Sequence, residues 1–255
     1  MDHAHRAVFR STGPGGRTVF VKVEEGRTRA GREVAGIDAA ARAGVPVPAL
    51  LHVELGALSV LVLGAVGGRS LGTTDDDRSW ADAARHLARL HRLPVPGGVE
   101  RFDHREGDWI AFMRWWIAHE TSLVVEAGML DRTLSLALLR RTDDVLEAMA
   151  PARRALLHGD CQPDHVLVDD DDGRVLALID WGDAATGDPR WDLAVLTAHH
   201  PARLPLVAEA HGSPPADAAI VGAYWTIRHL GSATWMADHG FDPAPDLRAA
   251  AAQVT

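Results

Sequence analysis

Within residues 157–193 the chain sets His158, Asp160, His165, Asp180, Asp183, Asp188 and Asp192 at short intervals around one β-rich run, Val175, Leu176, Ala177, Leu178 and Ile179. Asp160 follows a tight turn at His158 and Gly159, a setting that suits a carboxylate able to orient a hydroxyl and take its proton. Asp180 ends the apolar run and opens a second turn through Trp181 and Gly182. A carboxylate there could hold a small, hard cation, which wants one or two protein oxygens and several waters. His165, five residues after Asp160, is a second candidate ligand, although an imidazole suits such an ion less well than an oxygen does. The chemistry open to this set is attack of a hydroxyl on the γ-phosphate of a nucleotide. The plainer alternative is that Asp160 and Asp180 are turn carboxylates bracketing a strand, with His158 packed in a loop.

The order of these residues is that of a kinase catalytic loop followed by a metal-binding Asp-x-Gly turn. His-Gly-Asp at 158–160, Ile-Asp-Trp-Gly-Asp at 179–183 and Gly-Asp-Pro-Arg-Trp-Asp-Leu at 187–193 resemble the aminoglycoside phosphotransferase family. That family usually carries Asn where this chain has His165, and macrolide phosphotransferases resemble the chain in carrying His there. The resemblance implies an α+β, two-lobed, protein-kinase-like fold, with a short β-rich amino-terminal lobe (1–66) and a large helical carboxy-terminal lobe (67–255). It implies ATP or GTP as donor, Mg2+ or Mn2+ on Asp180 and His165, Asp160 as base, and His158, Asp188 and Asp192 as the scaffold of the loop. It also implies that backbone groups around Leu63 and Ala65 meet the adenine edge.

Lys22 is the single lysine among 26 basic residues, and it sits in Thr18-Val19-Phe20-Val21-Lys22-Val23. Arginine serves wherever a generic positive charge suffices, whereas a compact ammonium on a strand is what a kinase uses to grip α- and β-phosphates. Glu33, on the helix that follows, is its expected partner. Glu24 and Glu25 follow the strand directly and read as solvated turn charges.

Composition bounds the rest. A chain of 255 residues, 47% hydrophobic, can bury a substantial core around a cleft. Its apolar runs fall short of the roughly 18–20 residues of a membrane span, its first residues lack the apolar core of a signal peptide, and one cysteine, Cys161, suits a reducing cytoplasm. The first 50 residues carry 8 basic and 5 acidic side chains, which leaves 18 basic and 30 acidic for the remainder of the totals of 26 and 35. That imbalance argues against nucleic acid as a partner and favours a cationic acceptor. Asp108, Glu120, Glu126 and Asp183 are the candidate carboxylates for a polycationic small molecule, an aminoglycoside or a basic cyclic peptide. His165 and the tryptophans point instead to a macrolide.

The elements that must position these groups follow from pattern. Residues 7–10 and 18–23 read as strands joined by the turn Gly13-Pro14-Gly15-Gly16, 29–43 as a helix, and 49–55 and 58–66 as two further strands. Only six residues precede the first strand, so the glycine-containing phosphate cover of kinase-like folds is not placed, and a nucleotide would rest mainly on Lys22, the hinge and the metal. Residues 77–93 are an amphipathic helix with Trp80, Ala84, Leu87, Leu90 and His91 on its apolar face. A helical insert at about 99–150 faces the acceptor, Asp169–Asp172 form an exposed hairpin turn, and 214–239 are helical again. Two other functions fit the residues: a non-catalytic kinase-like binding protein, and a metal hydrolase built on His158, Asp160, His165 and Asp180. Nucleotide-dependent labelling of an acceptor separates the first from a phosphotransferase, and nucleotide-independent hydrolysis would support the second.

Overall fold

The computed structural model describes residues 6–95, 109–149 and 154–254. Two runs rich in β-branched and aromatic residues, β1 (Arg6–Thr12) and β2 (Thr18–Glu25), pair antiparallel across the Gly13–Gly16 turn. The helix α1 (Thr28–Arg42) follows, and its buried residues Ala30, Glu33, Gly36, Ile37 and Ala40 fall on one stripe at three- and four-residue spacing. Strands β3 (Leu50–Glu54) and β4 (Leu58–Gly64) complete a four-stranded antiparallel sheet of order β1-β2-β4-β3. β4 is central and alternates, with Ser59, Leu61 and Leu63 buried. Glu24 departs from its expectation: it lies inside β2, only 4% exposed, rather than in a solvated turn.

Gly67 and Gly68 carry the chain out of this sheet into β5 (Arg69–Ser70), the edge of a three-stranded sheet with β7 (Val166–Val168) and β8 (Val175–Leu178). The turn between β7 and β8 is the acidic run, closed by the Asp169 side chain accepting from the amides of Asp171 and Asp172. A two-stranded pair, β6 (Ala155–Leu157) with β9 (Ala185–Gly187), brackets the catalytic-loop candidate. Around these strands lie the helices α2 (Asp77–Leu90), α3 (Trp109–Glu126), α4 (Arg132–Ala148), α5 (Arg190–Thr197), α6 (Leu204–His211), α7 (Ala218–Asp238) and α8 (Ala244–Ala251). Asp76 and Asp131 cap α2 and α4 by accepting from their first free amides. The α+β architecture, a small antiparallel sheet and a larger helical part, is therefore as expected.

The core is continuous beneath the site. Trp80, Leu87 and Leu90 of α2, Met113 and Ile117 of α3, Leu138 and Leu146 of α4, Trp191 of α5 and Tyr224 of α7 are all at most 1% exposed. Each such side chain contributes about 1.5–3 kcal/mol on burial. Of the insert, α3 and α4 form an antiparallel hairpin against α7. Trp109 and Ile117 are core, while Trp115 is 39% exposed and stacks on His119.

Gly68 has φ +89°, and a Cβ there would penetrate the backbone carbonyl of Val168, which cannot yield without breaking β5 from β7. Gly68→Ala should lower the unfolding free energy by roughly 2 kcal/mol or more, since strain and steric overlap add. Urea denaturation with an unchanged m-value would show it; a loss under about 0.5 kcal/mol would mean that the β5 edge is dispensable.

Candidate active site

Asp192 builds the loop that carries Asp160. It is wholly buried on the first turn of α5, and a bare carboxylate in that position would be costly. Its oxygens accept from the backbone amides of His158 (2.8 Å) and Gly159 (2.9 Å) and lie 3.0 Å from Nε2 of His91. Burial alone would raise its pKa, but these donors, His91 foremost, hold it below the usual carboxylate range. His91 Nδ1 is 2.8 Å from His211 Nε2, and His211 Nδ1 is 2.8 Å from the Ser213 hydroxyl, so one N–H per ring satisfies every contact. The indole of Trp191 donates to the Gly159 carbonyl at 2.9 Å. Gly159 itself has φ +86° and lies against the backbone of Asp183, which brings the two turns into contact. Asp188 is clamped by Arg190 and accepts from the Tyr224 hydroxyl at 2.9 Å, and the Trp109 indole donates to that hydroxyl.

On this scaffold Asp160 points its two oxygens in different directions. Oδ2 lies 3.5 Å from Nδ1 of His165, on the side of Asp180. Oδ1 is buried with no hydrogen-bonded donor, although the Arg228 guanidinium of α7 approaches to 3.0 Å. Gln162 stands 3.5 Å from the same guanidinium. His165 donates through Nδ1 to the Asp160 carbonyl at 2.8 Å, so its Nε2 accepts from the Gln162 side-chain amide at 3.2 Å; Nε2 lies 3.9 Å from Oδ2 of Asp180. His158 is excluded from this group: it is buried, and its Nε2 is 3.0 Å from the carbonyl of Ile179. The four-residue set of a metal hydrolase is therefore not assembled. Cys161 is likewise core, with burial pushing its thiol well up.

The second cluster joins the two lobes. Lys22 is 6% exposed and hydrogen-bonds both Glu33 of α1 and Oδ1 of Asp180, the latter at 2.8 Å. Asp180 adopts φ +61° and ψ +65°, and it alone among the described residues other than glycine has positive φ. Aspartate tolerates that region better than most side chains. Burial would raise its pKa, but Lys22 and then Arg6 beside it overcome this and hold the carboxyl far below its ordinary range. Arg6, at the start of β1, donates to the same Oδ1 at 2.9 Å; Arg29 of α1 pairs with Asp183 at 2.6 Å and reaches Asp180 at 4.0 Å. Glu24 is 3.9 Å from Arg29, and burial raises its pKa.

The geometry thus gathers Lys22, Glu33, Asp160, His165 and Asp180, with His158, Asp188 and Asp192 in support. It does not gather the candidate acceptor carboxylates. Glu120 is buried, taking the Trp116 indole on one oxygen (2.9 Å) and the Thr234 hydroxyl on the other (2.7 Å). Asp183 is paired with Arg29 beside Asp180, Glu126 is the exposed last residue of α3 and accepts from Ser122, and Asp108 lies outside the described residues. Leu63 pairs on both sides within the sheet, and the Ala65 amide already donates to Thr18 at 3.1 Å, so of the groups expected to meet adenine these two amides are engaged. Sequence reasoning missed Arg6, Arg29, Gln162 and Arg228. The only available signal was for Gln162, by its proximity to Asp160.

Residues 2–239 match the phosphotransferase enzyme family. Among solved structures, the aminoglycoside phosphotransferase APH(4)-Ia is similar with a TM-score of 0.74 at 20% identity, over 100% of this chain and 91% of that one. A thermostable mutant of it in ternary complex with AMP-PNP and hygromycin B gives the same values. Macrolide 2'-phosphotransferase MphH from Brachybacterium faecium follows at 0.64 and 19% identity, over 98% of this chain and 88% of that one. At these identities the likeness is one of fold. Of curated proteins, the uncharacterized protein YcbJ of Bacillus subtilis is 41% identical over 49 residues, 19% of this chain and 16% of YcbJ.

Burial, and then His91, push the His211 imidazole down to about 4. An unfolded His titrates near 6.5, so the unfolded state takes up the proton first, and stability is lost as pH falls from about 6.5 towards 4. Between pH 7 and 5 the parent should lose ~1–2 kcal/mol more unfolding free energy than His211→Asn, at up to ~1.4 kcal/mol per pH unit for one proton. Parallel pH profiles for the two proteins would place His211 outside the linkage.

Proposed function

The chain belongs to the phosphotransferase enzyme family, and from that premise we propose that it moves the terminal phosphoryl group of ATP or GTP to a hydroxyl of a small-molecule acceptor, with Asp160 orienting that hydroxyl. The observation that carries this reading is the placement of Asp160 on a loop fixed by Asp192, with Oδ2 3.5 Å from His165 and Oδ1 3.0 Å from the Arg228 guanidinium. Oδ1 makes no well-formed hydrogen bond with that guanidinium, and an incoming hydroxyl is a donor that would supply one.

The donor set also fits a divalent cation: a strongly acidic carboxylate, Asp180, lies 3.9 Å from His165 Nε2, which would exchange the Gln162 amide for the ion. When bound there, the ion would neutralise charge on the phosphate oxygens. Lys22, Arg6 and Arg29 would exchange their carboxylate partners for those oxygens, so three cations are available to a polyphosphate. Asp160 would accept the hydroxyl proton as the new P–O bond forms and the γ-phosphorus separates from its bridging oxygen, which leaves with the nucleoside diphosphate, and Asp192 would keep the loop in place. In this reading Asp160→Asn retains the fold and AMP-PNP binding, while turnover falls roughly 10²- to 10⁴-fold. Turnover within about threefold of the parent would remove Asp160 from the role and favour a different base.

For the acceptor, the polycationic reading has the chain's acidic balance behind it and little local geometry, because Glu120 and Asp183 are committed to internal partners. A second reading is favoured by Arg228: a guanidinium 3.0 Å from Asp160 repels clustered positive charge where the hydroxyl must arrive. With Trp116 ring-to-ring against Trp191 at 5.1 Å beside the loop, that side suits a largely apolar acceptor of macrolide type. Acceptor affinity should then change less than about twofold between roughly 50 and 500 mM salt, a span that shortens the Debye length about threefold. A steep loss with salt, with an aminoglycoside or basic peptide as the acceptor used, would restore the polycationic reading.

A further inference from the structure

A second cluster of ligand-type side chains lies away from the phosphoryl-transfer site, where three elements meet: His199 just after α5, His229 of α7 and Asp246 of α8. One ligand atom from each falls within 4.8 Å of the others. His229 and Asp246 are at most 1% exposed, while the His199 side chain is 53% exposed and forms the mouth of the cluster. The polar contacts around it are arranged as the outer support of a metal site would be. His229 Nε2 is 3.1 Å from the carbonyl of Ala198, and its Nδ1 turns to Oδ1 of Asp246 at 2.7 Å. The other oxygen, Oδ2, is taken by the Ser232 hydroxyl at 3.0 Å, which fixes the carboxylate plane and leaves Oδ1 to both imidazoles, His199 Nε2 lying 3.4 Å away.

Both ring nitrogens of His229 thus face acceptor oxygens, and a ring proton or a metal ion can lie between Nδ1 and Oδ1. We propose that His199, His229 and Asp246 form a zinc site, with the fourth position open to solvent beside His199. Two imidazoles and one carboxylate are ligands Zn2+ takes readily, whereas Mg2+ and Ca2+ prefer all-oxygen sets. Bonds of 2.0–2.1 Å in a tetrahedron place ligand atoms roughly 3.3 Å apart. The His199–Asp246 separation already meets that figure, and the His229–Asp246 pair needs to open by roughly 0.6 Å. Arg228, adjacent to His229 in sequence, is an arginine that acts against positive charge at His199, and the single charge of Asp246 must outweigh it. The ion would pin the segment after α5 and the short α8 to α7, which also carries Arg228. The site is thus a fastening for the acceptor side of the fold and takes no part in phosphoryl transfer.

The test is metal binding to chelator-stripped full-length protein in an Asp180→Asn background, which silences the phosphate-side ligand, followed by thermal shift and calorimetry. One Zn2+ per chain should bind at micromolar or lower concentration and raise Tm. Co2+ should give the intense visible bands of a four-coordinate ion, abolished by Zn2+. His199→Ala, a change at an exposed position that leaves the fold intact, should weaken Zn2+ at least tenfold, as should Asp246→Asn if it folds. His52→Ala, an exposed histidine on β3, should not. Absence of saturable one-to-one binding below tens of micromolar, or an affinity unchanged by His199→Ala, would overturn the site and leave His229 and Asp246 as a hydrogen-bonded pair.

Discussion

One ammonium group holds the two parts of the molecule in register. Lys22 comes from the amino-terminal sheet, Glu33 from the helix behind it and Asp180 from the turn after β8, and all three meet at Nζ. Glu33 is fully buried, so loss of the lysine would leave an uncompensated buried charge, an arrangement that costs several kcal/mol. A guanidinium could not replace it without displacing one carboxylate, because Lys offers a compact point charge and Arg a planar fork. The left-handed backbone at Asp180 belongs to the same constraint. Strain of this kind persists only where the surroundings over-determine it, and here Lys22 and Arg6 fix the carboxylate that the turn presents.

The other half of the site depends on a buried carboxylate used as a structural part. Asp192 receives two successive backbone amides and a histidine, so the loop from His158 to Asp160 is held by charge-assisted bonds instead of by side-chain packing. Asp192, Asp188 and Glu120 each hold hydrogen-bonded donors on both oxygens, while Oδ1 of Asp160 is buried with the Arg228 guanidinium at 3.0 Å and no well-formed hydrogen bond.

Charge illustrates how far composition can mislead about a cleft. The chain carries a net charge of −9, with its excess of acidic groups after residue 50. Yet the carboxylates nearest the loop are consumed by Arg29, Arg190, Trp116 and Thr234, and the group that stands beside Asp160 is an arginine. Net charge acts over a Debye length and governs encounter; recognition is set by the few groups that remain unpaired within hydrogen-bonding distance.

The sequence by itself determined the order of elements and the identity of the groups that meet. His-Gly-Asp, Ile-Asp-Trp-Gly-Asp and Gly-Asp-Pro are local signals, each carried within a few residues by turn chemistry and by the strand that joins them. The solitary lysine and the periodicities of α1, α2 and α7 are equally local, which is why strand pairing, helix faces and the Lys22–Glu33 partnership were legible. Tertiary structure alone decided the contacts made across large separations in the chain. Arg228 reaches Asp160, Arg6 reaches Asp180, Thr234 reaches Glu120, and His199 meets His229 and Asp246, through packing angles between helices that no pattern in one segment encodes. The same reason explains the errors over Glu24, Glu120 and Asp183. Whether a carboxylate is solvated or spent depends on which cation or donor the rest of the fold brings to it, and long-range packing supplies that partner.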